Sequence, residues 1–589
     1  MLQNESQSIE NVIWDRLLVS WLSYKRLPFT FFSDELTQKL FQRINPNVNM
    51  PKRNALKEKV INEYNKMKDN LKKILNENES KFSFGIDGWT APNFESYYGI
   101  TIHFIDNNWK FQSLALDFVP SNGKHTGKDI TNIFFNSIKD YDIQKKVQGI
   151  TLDNAAANTT FIKEFSVLMD NEGIVFDTED QHFRCFAHII NLAVQDVLKL
   201  INVDIKQRYN NLYLDTNEYN DSEDERENEL SDDEMNENEN EIFSHIINNI
   251  RNTCKKIRQS EQLTIRLKLF CEAANIKFVK PVLDVKTRWD STYDMLNTAI
   301  ILKPAIVMLW DNCSDLTNLK IAETDWTVLE KIAQFLKQFK YVSKILSSDL
   351  DVTLPTVVLA FNMLVDKIES ITFNLNNKFN RNTQDEALLL AFQAGRDKLI
   401  KHYRKCNWIY CISLILDPRY KIEGFDVTTW GKDLKDCSVS KFQDVYKSNY
   451  YVENSKETAN KIHQNIFEHD SEDQDVIDIS AVYLFKEIST VSWTTEINNY
   501  LQAPRECADI NILEWWRSHA HIYPTLSKMA RDILSSTVSS VSVERFFSVG
   551  TLTMSKNRSR LQSKSLKALM CINSWVKSSL ISKICGFHL

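Results

Sequence analysis

The chain has 589 residues, 43% of them apolar and 25% charged, a balance that excludes a fibrous or fully disordered protein and predicts several globular domains. Gly (12) and Pro (11) are scarce, which excludes turn-rich all-β architecture and favours helix. The net charge of −7 is uneven: residues 215–241 hold fourteen acidic residues and one Arg, a local −13, so the rest carries about +6, a balance that permits nucleic acid as a partner.

The longest apolar runs, such as 409-IYCISLIL-416, fall short of the roughly 20 residues a spanning helix needs, so no membrane partner is expected. The start, MLQNESQSIE, lacks the basic and apolar regions of a secretory signal. Ten Cys are scattered, none before Cys185 and none in a C-x-x-C pair. That pattern suits a reduced compartment and lacks the commonest zinc-finger spacing.

Residues 11–24 place Trp14, Leu17, Leu18, Trp21 and Leu22 at helical spacing, and 53–76 continue a Lys/Glu-rich helical pattern. Residues 1–80 therefore read as a small helical domain. The texture changes at Lys81. KFSFGIDGWT, 97-YYGITIHFID-106 and 109-WKFQSLALDFV-119 read as a three-stranded antiparallel meander. Helix is predicted over 129–143, a buried strand over 147–154, helix over 159–172, a short strand at 182–186 and helix over 187–200. This order predicts an α/β fold with a mixed sheet across 81–200. The acidic stretch, within 201–241, reads as a disordered insertion. From 242 to about 505 the patterns are helical, broken by a polar interval at 450–477, and 506–589 returns to long amphipathic helices.

Asp87 and Asp153 fall at the ends of the first and fourth predicted strands. In open α/β sheets ligands gather at C-terminal strand ends. Two carboxylates side by side repel, and a divalent cation relieves that. Either Asp alone could equally cap the turn after it. Glu544, in 541-VSVERFFS-548, aligns with Val541 and Phe547 on one helix face. It could close a metal site from the sheet's flank, or pair with an Arg. Spacing cannot choose, because 391 residues separate it from Asp153.

Six runs bear on that choice: 86-IDGWTAPN-93 with 97-YYGITIHFID-106, 150-ITLDNAAANT-159, 184-RCFAHIINLAV-194, 287-TRWDSTYDML-296, 416-LDPRYK-421 and 537-TVSSVSVERFFSVGTLTMSKNRSRL-561. Together, and in this order, they resemble the hAT family of DNA transposases, named for hobo, Activator and Tam3. The resemblance implies an RNase H-like mixed sheet interrupted by a large all-α insertion over 242–505, with 506–589 completing the core as a dimerisation region. It implies that Asp87, Asp153 and Glu544 form a metal-binding catalytic triad using Mg2+ or Mn2+. It also implies cut-and-paste transposition, with hairpins on the flanking DNA, and nuclear location.

By the same resemblance Trp289 would stack on a base swung out near the hairpin, against its plain reading as a core Trp. Arg288 beside it could meet a phosphate. His188 would contact DNA or shape the triad. Cys185, three residues earlier, reads as a packing residue because no second ligand pair accompanies it. The run 556-KNRSRLQSKSLK-567 offers Lys556, Arg558 and Arg560 as phosphate contacts, against a solvated helix face. Double-stranded DNA (transposon ends and target) and a homodimer or higher oligomer are the expected partners. Many members of this family open with a BED zinc finger, and none is read here. A domesticated, non-cutting derivative is the alternative, and a different RNase H-like nuclease is weaker still.

Overall fold

The structure is a computed structural model that describes residues 2–44, 46, 50–121, 123, 125–201, 243–285, 288–346, 352–403, 408–427, 431–451, 493–554 and 561–585. The acidic stretch 215–241, most of the polar interval 450–477, and Lys556, Arg558 and Arg560 lie outside the described residues.

Three helices open the chain: α1 (Leu2–Lys25), α2 (Glu35–Ile44) and α3 (Arg53–Glu77). The meander follows as β1 (Phe82–Thr90), β2 (Ser96–Ile105) and β3 (Phe111–Pro120), all antiparallel. Next come α4 (Gly127–Asp140), β4 (Val147–Leu152), α5 (Ala156–Asn171), β5 (His182–Arg184) and α6 (Phe186–Ile201). β4 pairs parallel with β1, and β5 parallel with β4. The sheet order is therefore β3-β2-β1-β4-β5, the mixed α/β core that the sequence predicts.

The sheet separates two faces by simple alternation. Phe82, Phe84 and Ile86 point toward α4 and α5, and Phe84 meets Phe134 edge to face at 5.3 Å. Ser83, Gly85 and Asp87 share the opposite face of the strand.

The long helical region comprises α7 (Ser244–Gln259), α8 (Glu261–Ala273), α9 (Trp289–Ile301), α10 (Lys303–Asn312), α11 (Glu323–Leu346), α12 (Thr356–Asn376), α13 (Thr383–Tyr403), α14 (Ile409–Ile415), α15 (Lys432–Asn449) and α16 (Trp493–Gln502). The chain closes with α17 (Ile512–His519), α18 (Pro524–Leu534), α19 (Val541–Thr553), α20 (Ser563–Lys577) and α21 (Ile581–Cys585).

Two apolar cores result. One joins α6 to the helical region and to α17 and α18. The other joins the sheet, α4 and α5 to both ends of the chain. The opening helices thus share a core with the closing ones. Tyr64 of α3 stacks on Trp575 of α20 at 5.4 Å, and Asn573 donates to the Ser23 carbonyl at 2.7 Å. Trp575 in turn donates its indole N–H to Ala115 of β3 at 2.8 Å. Lys567, the last residue of the basic run in 556–567, is committed to Asp117 of β3 at 2.6 Å. Asp117 is buried, and Ser137 donates to its other oxygen at 2.9 Å.

Candidate active site

β1 and β4 run parallel, with Gly85 opposite Thr151 as the last paired residues. Two residues further along come Asp87 and Asp153; Asp153 follows the end of β4 as predicted, whereas Asp87 lies inside β1, which runs on to Thr90 because its pairing with β2 continues to Ser96. Equal spacing from a shared register brings them level, on the face that carries Gly85 and Thr151.

That face receives α19. A Cβ at Gly85 would meet Val543 Cγ2 at 3.0 Å and Thr101 Oγ1 at 2.8 Å, and one at Gly99 would meet Phe547 at 2.6 Å. Both positions need Gly because the helix lies on the backbone of β1 and β2. Phe547 also stacks on Trp89 at 6.0 Å. Val543, Phe546 and Phe547 form the buried side of α19, and Glu544 is exposed beside them. No ion pair holds Glu544 among the described residues, so the structure does not give it the Arg partner of the alternative reading.

A strap of small polar residues delivers this helix. Thr151 donates its hydroxyl to the Thr537 carbonyl at 2.9 Å, and Phe186 N–H donates to Val538 at 2.8 Å. Ser540, at the N-cap of α19, donates its N–H and hydroxyl to Cys185 Sγ at 3.4 and 3.3 Å. Cys185 is therefore a buried anchor. Burial raises its thiol pKa, against the opposing hydrogen bonds from Ser540 and from the His188 backbone N–H. His188 itself is half-buried in the first turn of α6.

Asp87 feels the other two acids. Burial, then Asp153, then Glu544 push the Asp87 carboxyl up to about 7, against one opposing hydrogen bond from Gly88 N–H at 2.7 Å. Asp153 Oδ1 accepts from Ala155 N–H at 3.1 Å and from Asn158 Nδ2. No Lys or Arg is ion-paired to any of the three among the described residues. Repelling carboxylates without a basic partner, all hard oxygen donors, suit Mg2+ or Mn2+ chemically. They are neighbours and not a closed cage: among the described residues no three His, Cys, Asp or Glu side chains form a ready metal group.

The remaining candidates stand apart from this cluster. Trp289 is only 6% exposed and meets Phe339 edge to face at 6.3 Å. Its ring is part of the helical core, and no base reaches it in this conformation. Arg288 is exposed at the N-cap of α9.

Residues 85–180 match the ZBED1 RNase-like domain, residues 230–335 the ZBED1 RNase-like helical domain, and residues 496–576 the hAT family C-terminal dimerisation region. The chain is 25% identical to "Putative AC transposase" of Zea mays over 94% of its own length and 64% of that protein's. The chain is thus similar to hAT transposases and their relatives. Other relatives carry other names. One is "Putative transcriptional regulator tpeD" of Talaromyces stipitatus, 25% identical over 97% of this chain and 62% of the relative. Another is "Zinc finger BED domain-containing protein RICESLEEPER 1" of Oryza sativa subsp. japonica, 25% identical over 87% and 67%. The chain spans less than two thirds of the length of the maize and Talaromyces relatives. No helix among its described residues is long and apolar enough to cross a membrane.

Sequence reading missed the machinery that aims Glu544. The small-residue run 535-SSTVSS-540 and the glycines at 85 and 99 were its only visible traces. It also missed the polar set beneath α19, in which His103 Nε2 lies 3.0 Å from Thr101 Oγ1 and 3.4 Å from Ser542 Oγ. Burial lowers the His103 pKa to about 3, so the ring is neutral.

Proposed function

We propose that this chain is a DNA transposase that acts by metal-dependent phosphoryl transfer. The observation that carries the reading is the approach of Asp87 on β1, Asp153 just past β4 and Glu544 on α19, with the Asp87 carboxyl raised by burial and then by the two other acids. Bound Mg2+ or Mn2+ would supply Lewis-acid activation of a water or hydroxyl and relief of charge on the leaving oxygen. Asp87, within β1, and Asp153, just past β4, are the fixed ligands, each accepting a backbone hydrogen bond. Glu544 is the closing ligand, exposed and without an ion pair among the described residues.

The reaction is cut-and-paste. Water opens one strand at each element end. The freed hydroxyl on the flank attacks the opposite strand and leaves a hairpin. The element's 3′-hydroxyls then attack target DNA. Each step forms one P–O bond and breaks another, so one site serves all of them. Nuclear location follows from a chromosomal substrate.

Charge supports the DNA partner. Residues 243–288 hold ten Lys and Arg against three acids, a net +7. The chain outside this segment and the acidic stretch sums to about −1 by difference from the total of −7. The basic excess is one hairpin, α7 and α8 with the return segment behind them. Arg251 pairs with Asp284 at 2.7 Å, and Arg258 donates to the Pro281 carbonyl at 3.0 Å, so the return segment runs along α7. Lys255, Lys277, Lys280 and Arg288 are exposed on this unit and make no ion pair among the described residues. We assign phosphate contacts to these four, and the same role to Lys556, Arg558 and Arg560. Replacing the four by Ala lowers the slope of log affinity against log salt on duplex DNA by about 3 to 4. An unchanged slope removes this surface from the interface.

The test of the chemistry is a plasmid carrying the gene's own flanking DNA, incubated with the protein and Mg2+ or Mn2+. Double-strand breaks with hairpin flanks, lost in Glu544→Gln, are expected. Cleavage that survives that substitution sinks the reading. A second reading is a hAT-derived protein that binds DNA without cutting, favoured by the relative named as a transcriptional regulator. DNA binding with no cleavage in either metal would select it.

A further inference from the structure

Mg2+ holds its oxygen ligands at about 2.1 Å and tolerates little displacement, so whatever orients a carboxylate ligand matters nearly as much as the ligand. Glu544 stands in the first turn of α19. Val543 and Phe547 press that helix onto the bare backbone at Gly85 and Gly99. Apolar contacts are non-directional. They hold the helix close to the sheet without fixing where along β1 it sits.

Directional contacts lie beneath the same turn. Thr101 and His103, two apart on β2, share the face that carries Gly99 and receives α19. Both are buried. His103 Nε2 lies 3.0 Å from Thr101 Oγ1, and Ser542 Oγ lies 3.4 Å from each of those two atoms. Thr101 donates its hydroxyl to the Gly85 carbonyl at 3.4 Å. A hydroxyl has one hydrogen to give, so Thr101 accepts from His103, and Nε2 carries the ring proton. Nδ1 is buried and has no partner among the described residues. A phenyl ring would fill this space against Phe111 and leave no such orphan, so packing alone does not call for a histidine.

The set also spans the elements that matter. Gly85 lies two residues before Asp87 on β1, and Ser542 two residues before Glu544 on α19. Thr101 and His103 bridge the two from β2. We propose that His103 is a positioning residue for Glu544: through Thr101 and Ser542 its Nε2–H fixes the first turn of α19 against β1, and so sets where Glu544 stands relative to Asp87. The inference rests on the metal-site reading and deepens it without adding a ligand.

The test is Mn2+ binding to the full chain without DNA, followed through the electron paramagnetic resonance of free Mn2+. His103→Phe keeps a ring of similar size and removes the donor, and the affinity should fall about tenfold or more, the scale for losing a partner that orients a ligand. His103→Gln places an amide N–H near the Nε2 position and should bind Mn2+ more tightly than the Phe variant. Ser542→Ala, at a half-buried position, should also weaken binding and add little to His103→Phe in the double variant. A Phe variant that binds as wild type does, or a Gln variant no better than the Phe variant, overturns the proposal, because the ring then only fills space. Should His103→Phe fail to fold, an unchanged affinity in Ser542→Ala overturns it. If wild type binds no Mn2+, or binds it equally after Glu544→Gln, the metal reading fails by itself. Amide hydrogen exchange across 541–547 then decides: faster exchange in His103→Phe than in wild type and His103→Gln upholds the tie, and equal exchange overturns it.

Discussion

Asp87→Asn is expected to lower metal-dependent cleavage by at least about a thousandfold, the scale for losing a charge that stabilises a transition state. The same substitution should make the metal-free protein more stable at neutral pH. The folded Asp87 carboxyl sits at about 7, above its usual 3.8. Below about pH 4 both folded and unfolded chains hold the proton, and nothing differs. Between about 4 and 7 the unfolded chain loses its proton first, so stability falls as pH rises; above about 7 the penalty is constant. Asn carries no charge and removes that penalty, a gain of about 1 to 3 kcal/mol. Melting curves of wild type and variant without metal should therefore converge near pH 4 and separate toward pH 8. Added Mg2+ should raise the wild-type melting temperature and leave the variant unchanged. Identical curves at all pH values would mean that Asp87 is under no strain from Asp153 and Glu544.

Lys421→Met is expected to cost about 3 kcal/mol or more of stability while leaving the chemistry of the folded protein intact. The ammonium is buried and donates to the carbonyls of Tyr500, Ala503 and Pro504 at 2.7, 2.6 and 3.2 Å. Met fills similar space but donates nothing, and each buried carbonyl left unmet costs about 1 kcal/mol or more. Asp417, four residues earlier and fully buried, is held by Arg419 at 2.7 Å. The motif LDPRYK therefore acts as a clamp on the end of α16, far in sequence from the triad. Denaturant unfolding measures the cost. A stable variant would mean that α16 is held elsewhere, and a stable variant with lost cleavage would give Lys421 a second role.

Much of the core was legible because its signals are local. The alternation around Phe82, Phe84 and Ile86 and the breaks at 91–95 and 106–110 state the meander without reference to anything distant. Asp153 was legible as a strand-end acid for the same reason, whereas Asp87 lies inside β1, which its pairing with β2 carries on to Thr90. Glu544 was legible only through its motif, since an exposed acid on an amphipathic helix has no local mark of function. Trp289 shows the converse: its motif pointed toward DNA, and the packing that encloses it comes from Phe339, fifty residues away.

By itself the sequence determined the element order, the long helical region, the uneven charge and the resemblance to hAT transposases. Each is written in short-range periodicity, composition or ordered motifs. Tertiary structure alone decided what lies next to what. It put the first helices and the last in one core and buried Leu513, Trp516, Phe547, Ile572 and Trp575. It also laid α19 on the bare backbone at Gly85 and Gly99. Burial and Coulomb repulsion depend on distances between residues hundreds of positions apart, and no local pattern encodes those distances.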